Sequence, residues 1–194
     1  PGPTSQQHKP PPQHRFQTLD IINTTCLKTH AESLLDQQTP ANFTFVQEVS
    51  ASAKTLKDLK TLFKDKGHQL LSTRTDSQSK HLLGGVGVVA RLPGTTFLVE
   101  AKTPAFKAFV DRGRAAHHAI NNGSGKFYSI FNLYGYSGGG QNKNKAGWTS
   151  RLIDSVLEEI AAHKVDFAMI VGDLNALPEQ IPAAKHLLDQ EQWT

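Results

Sequence analysis

The order of hydrophobic periods along the chain predicts an α/β protein made of two packed sheets covered by helices. Three observations carry this reading. The chain opens with alternating strand and helix patterns, its middle is a block of short strand-like runs broken by turn residues, and it closes on a helix-strand-helix pattern. Helices at both flanks of a strand-rich middle fit sheets packed face to face with helices outside.

Residues 1–15 are rich in Pro, Gln and His, lack apolar periodicity and are expected to form a disordered lead-in. Order should begin at Phe16, giving one domain over 16–194. Leu19 to Leu27 reads as a first strand, with Asn23 at its close. A short helix over 28–38 places Ala31, Leu34 and Leu35 on one face, and Pro40 stops it. Phe43 to Val49 reads as a second strand. A helix over 53–66 buries Leu56, Leu59, Leu62 and Phe63, and turns Lys54, Lys57, Lys60 and Lys64 to solvent. The strand block comprises Leu70–Arg74, Gly85–Leu92, Thr96–Ala101, Ala115–Asn121 and Phe127–Tyr134, with turns at Pro93-Gly94 and Asn122-Gly123. Antiparallel meanders follow from such short connections. A helix over 148–163 presents Trp148, Leu152, Val156 and Ile160 at four-residue spacing. Val165–Val171 is the next strand, and a last helix starts near Pro182.

Bulk properties narrow the function. The 194 residues carry a formal net charge of +4 and a sequence pI near 9.2, which fits a polyanionic partner. A single Cys26 rules out an internal disulfide and a Cys-based zinc site and fits a reducing setting, nuclear or cytoplasmic, in which no disulfide-linked partner is expected. No apolar run approaches the length of a membrane span.

The most informative stretch is Ala168-Met-Ile-Val-Gly-Asp-Leu-Asn175, an apolar run ending in an acid and an amide two residues apart. Strand alternation would point Asp173 and Asn175 the same way, where they could hold a hard cation and a phosphate oxygen; an Asx turn is the plainer alternative. Asn23, Glu48 and Tyr134 close other strands and could join them. Glu48 stands within Phe45-Val-Gln-Glu-Val49, where an acid is costly unless paired or metal-bound.

These segments, in this order, resemble the endonuclease/exonuclease/phosphatase superfamily. The resemblance rests on Asn23, on Gln47-Glu48, on Gly84–Arg91, on Asn132-Leu-Tyr-Gly135 and on Gly172-Asp-Leu-Asn175. It implies a four-layer α/β/β/α sandwich with two mixed sheets, and Mg²⁺-dependent phosphodiester hydrolysis, with Mn²⁺ able to substitute. Glu48 would be the direct metal ligand and Asn23 would support that metal shell. Tyr134 would hydrogen-bond the phosphate, Asp173 would orient or deprotonate the attacking water, and Asn175 would bind a phosphoryl oxygen. Charge and the Asn-Leu-Tyr-Gly form look closer to retrotransposon-type endonucleases than to inositol or lipid phosphatases, so nucleic acid is the expected partner, DNA before RNA. A non-catalytic, nucleic-acid-binding remnant is the third reading.

The chain departs from the family pattern in two places. Tyr136-Ser137 stands where many relatives have Pro-Asn, and the C-terminal Asp and Asp-His are absent from these residues. The expectation is a domain whose C-terminal part is missing, inactive or nearly so. His186, among Leu187 and Leu188, reads as a surface or boundary residue.

Two other motifs are decoys. Gly85-Val-Gly-Val-Val-Ala90 fits a dinucleotide fingerprint but is followed by Arg91-Leu-Pro-Gly94, which starts no helix. Gly135-Tyr-Ser-Gly-Gly139 fits a serine-hydrolase elbow but leads into Gly140–Lys145, read as a flexible loop. In that loop Lys143 and Lys145, with Arg151 beyond it, are candidate phosphate contacts. His117 and His118 should face opposite ways on a strand, one partly buried and one exposed. Arg112-Gly113-Arg114 should turn the chain into that strand.

Overall fold

The computed structural model describes residues 18–37, 41–75, 84–91, 95–121, 126–165 and 167–190. The first sheet has the order β1-β2-β4-β3, from β1 (Leu19–Asn23), β2 (Phe43–Gln47), β3 (Gln69–Ser72) and β4 (Val86–Ala90). The second has the order β5-β6-β7-β8, from β5 (Thr96–Leu98), β6 (Ala115–Asn121), β7 (Phe127–Tyr134) and β8 (Ala168–Asp173). Each sheet is mixed: β1 runs parallel to β2 and β7 parallel to β8, and the other pairs are antiparallel. The expected lead-in and the turns at Pro93-Gly94 and Asn122-Gly123 lie outside the described residues.

Period-two alternation builds the four layers. On β2, Val46 faces α1 (Leu27–Leu35) and α2 (Ala53–Asp65), where Leu34, Leu56, Leu59 and Phe63 pack. Phe43 and Phe45 face the opposite sheet and meet Val88, Ile120, Ile130 and Val171. On β7, Phe131 and Leu133 point outward to α3 (Pro104–Asp111), α4 (Lys143–His163) and α5 (Pro182–Asp189), against Phe106, Leu152, Val156 and Leu187. The result is the expected α/β/β/α order. Among the described residues no helix is long and apolar enough to cross a membrane.

One polar pair is buried between the sheets. Gln47 Nε2 donates to Asn132 Oδ1 at 2.7 Å, and Asn132 Nδ2 donates to the Val46 and Gly87 carbonyls at 3.2 and 2.8 Å. Both residues are fully buried. The amide of Asn132 thus bridges β2, β4 and β7.

Several elements differ from the sequence reading. Helix α3 was not foreseen. Its signal is local: Thr103 caps it by accepting from Phe106 N at 3.3 Å, and Pro104 occupies the first turn. Glu159, fully buried on α4, anchors this cap. It accepts from the Lys102 and Thr103 amides at 2.7 and 2.8 Å, from the Thr103 hydroxyl at 2.7 Å, and lies 2.8 Å from His163 Nε2. Helix α4 begins at Lys143, so the expected flexible loop over Gly140–Lys145 is largely a capped helix start: Asn142 Oδ1 accepts from Asn144 and Lys145 amides at 2.9 and 3.3 Å. Trp148 is not part of the buried stripe and stays 47% exposed. Strict four-residue spacing drifts around a helix of 3.6 residues per turn, so the ends of such a stripe leave the core.

His117 and His118 are both buried, not one exposed. His117 faces α4, stacked on Phe131 with centroids 4.3 Å apart, and His118 faces the first sheet edge-on to Phe45 at 5.7 Å. The helix layer covers one face of β6 and the other sheet covers the other, so alternation exposes neither.

Two outcomes follow. Replacing Asn132 by Leu leaves Gln47 Nε2 unpaired and removes both carbonyl contacts, and urea unfolding should show a loss of about 2–4 kcal/mol; a loss under about 1 kcal/mol would show that the pair does not clamp the sheets. Burial lowers His117 to about 4 and His118 to about 3 from an ordinary value of 6.5, helped by the positive charge of neighbouring His163 and His117 respectively. As pH falls from 6.5 toward 4 the unfolded chain takes up protons that the folded chain does not, so stability drops through that window. Melting curves at pH 7 and 4.5 should show this drop, and His118→Phe should reduce it; an equal drop in both proteins would refute the assignment.

Candidate active site

The site grows from the same alternation that builds the core. On the inner faces the side chains change from Phe45, Ile130 and Val171, through the Gln47–Asn132 pair, to a polar cluster at the strand ends. Asn23 ends β1, Tyr134 ends β7 and Asp173 ends β8.

Glu48 joins this cluster through a break in strand geometry. Gln47 is opposite Val86 in the ladder, but beyond Glu48 the amides of Val49 and Ser50 donate to Gly85 and Gly84 at 3.0 and 2.9 Å. The pairing has stepped by one residue, so Glu48 is the additional residue of a bulge. Its φ of 54° is left-handed, a conformation disfavoured for Glu. Gln47 already faces the second sheet, and alternation would turn Glu48 away. The bulge turns it back.

Asp173 is placed by Gly172. A Cβ on Gly172 would sit 2.0 Å from the Leu133 carbonyl oxygen, so only glycine permits β7 and β8 this close approach. Beyond the strand, Asp173 Oδ1 accepts from Asn175 N at 2.8 Å. This is an Asx turn, and Asn175 sits at φ 56°, which Asn tolerates. Asn175 therefore reaches the site by a turn and not by strand alternation. Its Nδ2 donates to the Gly135 carbonyl at 3.3 Å, next to Tyr134.

Asn23 links the two acids. Its Nδ2 donates to Asp173 Oδ2 at 2.7 Å and to Glu48 Oε1 at 3.2 Å, while its Oδ1 accepts from Thr25 N at 3.0 Å. Tyr134 Oη also donates to Glu48 Oε1, and lies 3.3 Å from Ser137 Oγ. Burial, reinforced by the Glu48 hydrogen bond, raises the Tyr134 pKa above 10.0. The phenol thus stays a proton donor at neutral pH. The guanidinium of Arg114 lies 4.7 Å from the ring centroids of both Tyr134 and Tyr136, and Nη1 donates to the Gly135 carbonyl at 3.0 Å.

The structure brings together Asn23, Glu48, Tyr134 and Asp173, with Asn175 alongside. Lys143, Lys145 and Arg151 lie on α4 and make no hydrogen bond from their side chains to this cluster among the described residues. Gln47 is the interior clamp described above. Arg114 and Ser137 were missed as site residues: the first was read as part of a turn, the second as part of a decoy. Ser137 meets the Tyr134 hydroxyl and not an imidazole, and α4 starts only at Lys143, so the hydrolase elbow is not formed. Val86–Ala90 is a strand and the next element among the described residues is β5, which disposes of the dinucleotide fingerprint. His186 is exposed on α5, 2.8 Å from Gln190 Nε2.

The donor set fits a hard divalent cation. Glu48 and Asp173 offer carboxylate oxygens, and Glu48 Oε2 has no hydrogen-bond partner among the described residues. Both side chains are half-buried, which leaves the hydration that Mg²⁺ retains. A second set of donor types, His117, Glu159 and His163, lies within 4.8 Å on the outer face of the second sheet. There the carboxylate is already filled by the α3 cap.

Neither protein-family models nor curated protein sequences give a match. Solved structures do. A 3'-5' exonuclease from Neisseria meningitidis superposes with TM-score 0.59 at 19% identity, over 83% of this chain and 59% of that one. An AP endonuclease from Archaeoglobus fulgidus gives TM-score 0.59 at 15% identity, over 90% and 71%. The human Nocturnin catalytic domain gives TM-score 0.52 at 15% identity, over 93% and 74%. The chain has the fold of the endonuclease/exonuclease/phosphatase superfamily, and it spans 59% of the length of the exonuclease it matches.

Gly172→Ala should displace β8 from β7 and cost at least about 2 kcal/mol, because both the close approach and a φ of 136° are lost to it. Urea unfolding checks this, and an unchanged midpoint would show that the Leu133 contact does not constrain the motif.

Proposed function

We propose that this chain carries the metal-binding part of a site that hydrolyses phosphodiesters, and that its substrate is nucleic acid, DNA before RNA. One observation carries the reading: Asn23, Glu48, Tyr134 and Asp173, from four different strand ends on two sheets, meet through one amide and one phenol. A buried core does not need two carboxylates at its rim, and their convergence is best explained by a cation and a phosphate.

Glu48 would hold Mg²⁺, or Mn²⁺ in its place, and that ion would supply neutralisation of charge on the phosphoryl group. Asn23 positions both carboxylates and fixes their separation. Asp173 has its carboxylate oriented by the Asn23 amide and the Asn175 backbone, and accepts a proton from the attacking water. Tyr134 keeps its single proton, which it would redirect from Glu48 to a phosphoryl oxygen when substrate binds, and Asn175 offers its amide to another. Among the described residues no His hydrogen-bonds to this cluster, so protonation of the leaving oxygen falls to solvent or to groups beyond those described. The net charge of +4 favours association with a polyanion. The Neisseria structure bound to a product DNA hairpin, described as a 3' phosphatase, supports DNA as the first substrate to try.

The test pairs a binding readout with a rate. Mn²⁺ titration followed by electron paramagnetic resonance should show one site that Glu48→Gln weakens at least about tenfold. Nicking of supercoiled DNA with Mg²⁺, however slow, should fall about a hundredfold or more in Glu48→Gln and in Asp173→Asn. Nicking that survives both substitutions would sink the site assignment. Release of inorganic phosphate from inositol phosphates without nicking would move the reading to the phosphatase branch of this fold. Mn²⁺ binding and DNA binding with no hydrolysis would leave a non-catalytic remnant.

A further inference from the structure

Beside the carboxylate cluster lies a recess that the hydrolytic reading does not use. Its volume is about 230 Å³, and Phe109, Arg112, Tyr136, Trp148 and Arg151 line it. It is continuous with the site through one stack: Arg114 sits 4.7 Å from the centroids of Tyr134 and of Tyr136, and Tyr136 meets Trp148 at 5.3 Å with the rings tilted by 64°. We propose that this recess receives one unstacked nucleobase of the substrate strand, with Arg112 and Arg151 on the phosphates flanking it.

Four observations support this. Trp148 remains 47% exposed although an aromatic side chain of this size gains by burial, and the neighbouring Leu152 and Ile153 on the same helix are buried. The recess therefore presents an indole face to solvent at the edge of the site. It combines that face with two exposed guanidinium groups that form no ion pair among the described residues. Aromatic faces next to arginines are the chemistry by which single-stranded nucleic acid is held without base-edge reading. The volume is below the roughly 300–1,000 Å³ of pockets that enclose a whole drug-sized ligand, so it suits a single ring system and not an entire nucleotide. Finally, the walls are fixed in place. The Tyr136 amide donates to Thr149 Oγ1 at 3.0 Å, which ties the Tyr136 backbone to α4, and Gly113 turns the chain at φ 63° between Arg112 and Arg114. A base in this recess would leave its own backbone beside Tyr134. The preferred substrate would then be a strand with a free or distorted end and not uniform duplex.

This inference rests on the proposed nucleic-acid substrate but not on turnover, so it is tested without metal. In EDTA, with Trp193→Phe in the full chain to leave Trp148 as the reporter, AMP should quench the fluorescence saturably. Ribose 5-phosphate, which lacks the base, should bind at least about tenfold more weakly in a competition assay. Trp148→Leu should weaken AMP binding by calorimetry about ten- to a hundredfold, Trp148→Phe should retain most of it, and Arg151→Gln should weaken AMP and ribose 5-phosphate alike. Equal affinity for AMP and ribose 5-phosphate, or an unchanged AMP affinity in Trp148→Leu of native melting temperature, would overturn the base pocket. Phosphodiester hydrolysis without any AMP quench overturns only this inference. AMP binding in a protein that shows no hydrolysis overturns the proposed function and leaves the pocket standing.

Discussion

The hydrogen bond between Gln47 and Asn132 is the constraint on which the site depends. Two sheets that meet only through apolar side chains can slide by small amounts with little change in buried area, because hydrophobic contact has no direction. An amide pair at 2.7 Å, with Asn132 also bonded to two backbone carbonyls of the first sheet, does not allow that. Leaving either amide unpaired in a dry interior costs more than the bond gains, so one relative position of the sheets is selected. Each partner stands close to its strand's end and to the residues of the candidate site. Glu48 follows Gln47, and Tyr134 lies two residues after Asn132 on the same face. Fixing the amides therefore fixes the distance across which Tyr134 reaches Glu48.

The fold was legible because its elements obey simple periods. All eight strands were foreseen within a few residues. The last of them, expected at Val165–Val171, is Ala168–Asp173 and runs on into the acid. The antiparallel pairing of β6 with β7 follows from the short link between them, whereas β5 reaches β6 through α3. What escaped was decided by contacts between distant parts of the chain. Helix α3 has only eight residues, too short to show a clear stripe, and its cap is completed by Glu159, far along the chain on α4. His117 and His118 looked like an inward and an outward residue. Alternation was right about their directions, but it carries no information about whether a helix layer covers the second face.

The candidate site was legible in its residue types and not in its geometry. The spacing of Asp173 and Asn175 suggested two side chains on one strand face, whereas the backbone turns at Asn175 and the acid caps that turn. The turn reading of this tetrapeptide is thus correct, and the Asx turn orients the carboxylate that the functional reading invokes. Glu48 is a similar case. No strand pattern foretells a bulge, and the left-handed backbone at Glu48 is where the regular ladder is given up to aim an acid. Asn23 contributes its nitrogen to the two acids and gives its oxygen to Thr25, which makes it a positioning residue for the carboxylates.

Arg114 ties these features to recognition. Its guanidinium lies at 4.7 Å from two tyrosine rings, one that holds Glu48 and one that lines the recess around Trp148. A cation shared by two rings resists independent movement of either, because displacing one ring forfeits its contact without strengthening the other. The Arg114 backbone also accepts from Tyr134 N at 2.8 Å, and its side chain holds the Gly135 carbonyl that Asn175 shares. Occupation of the recess would therefore be felt at Tyr134 through a single rigid stack and not through a flexible loop. This arrangement accounts for an arginine just before β6 that the proposed metal and phosphate contacts do not require, and under the proposed function it would couple occupation of the recess to the ordering of Tyr134.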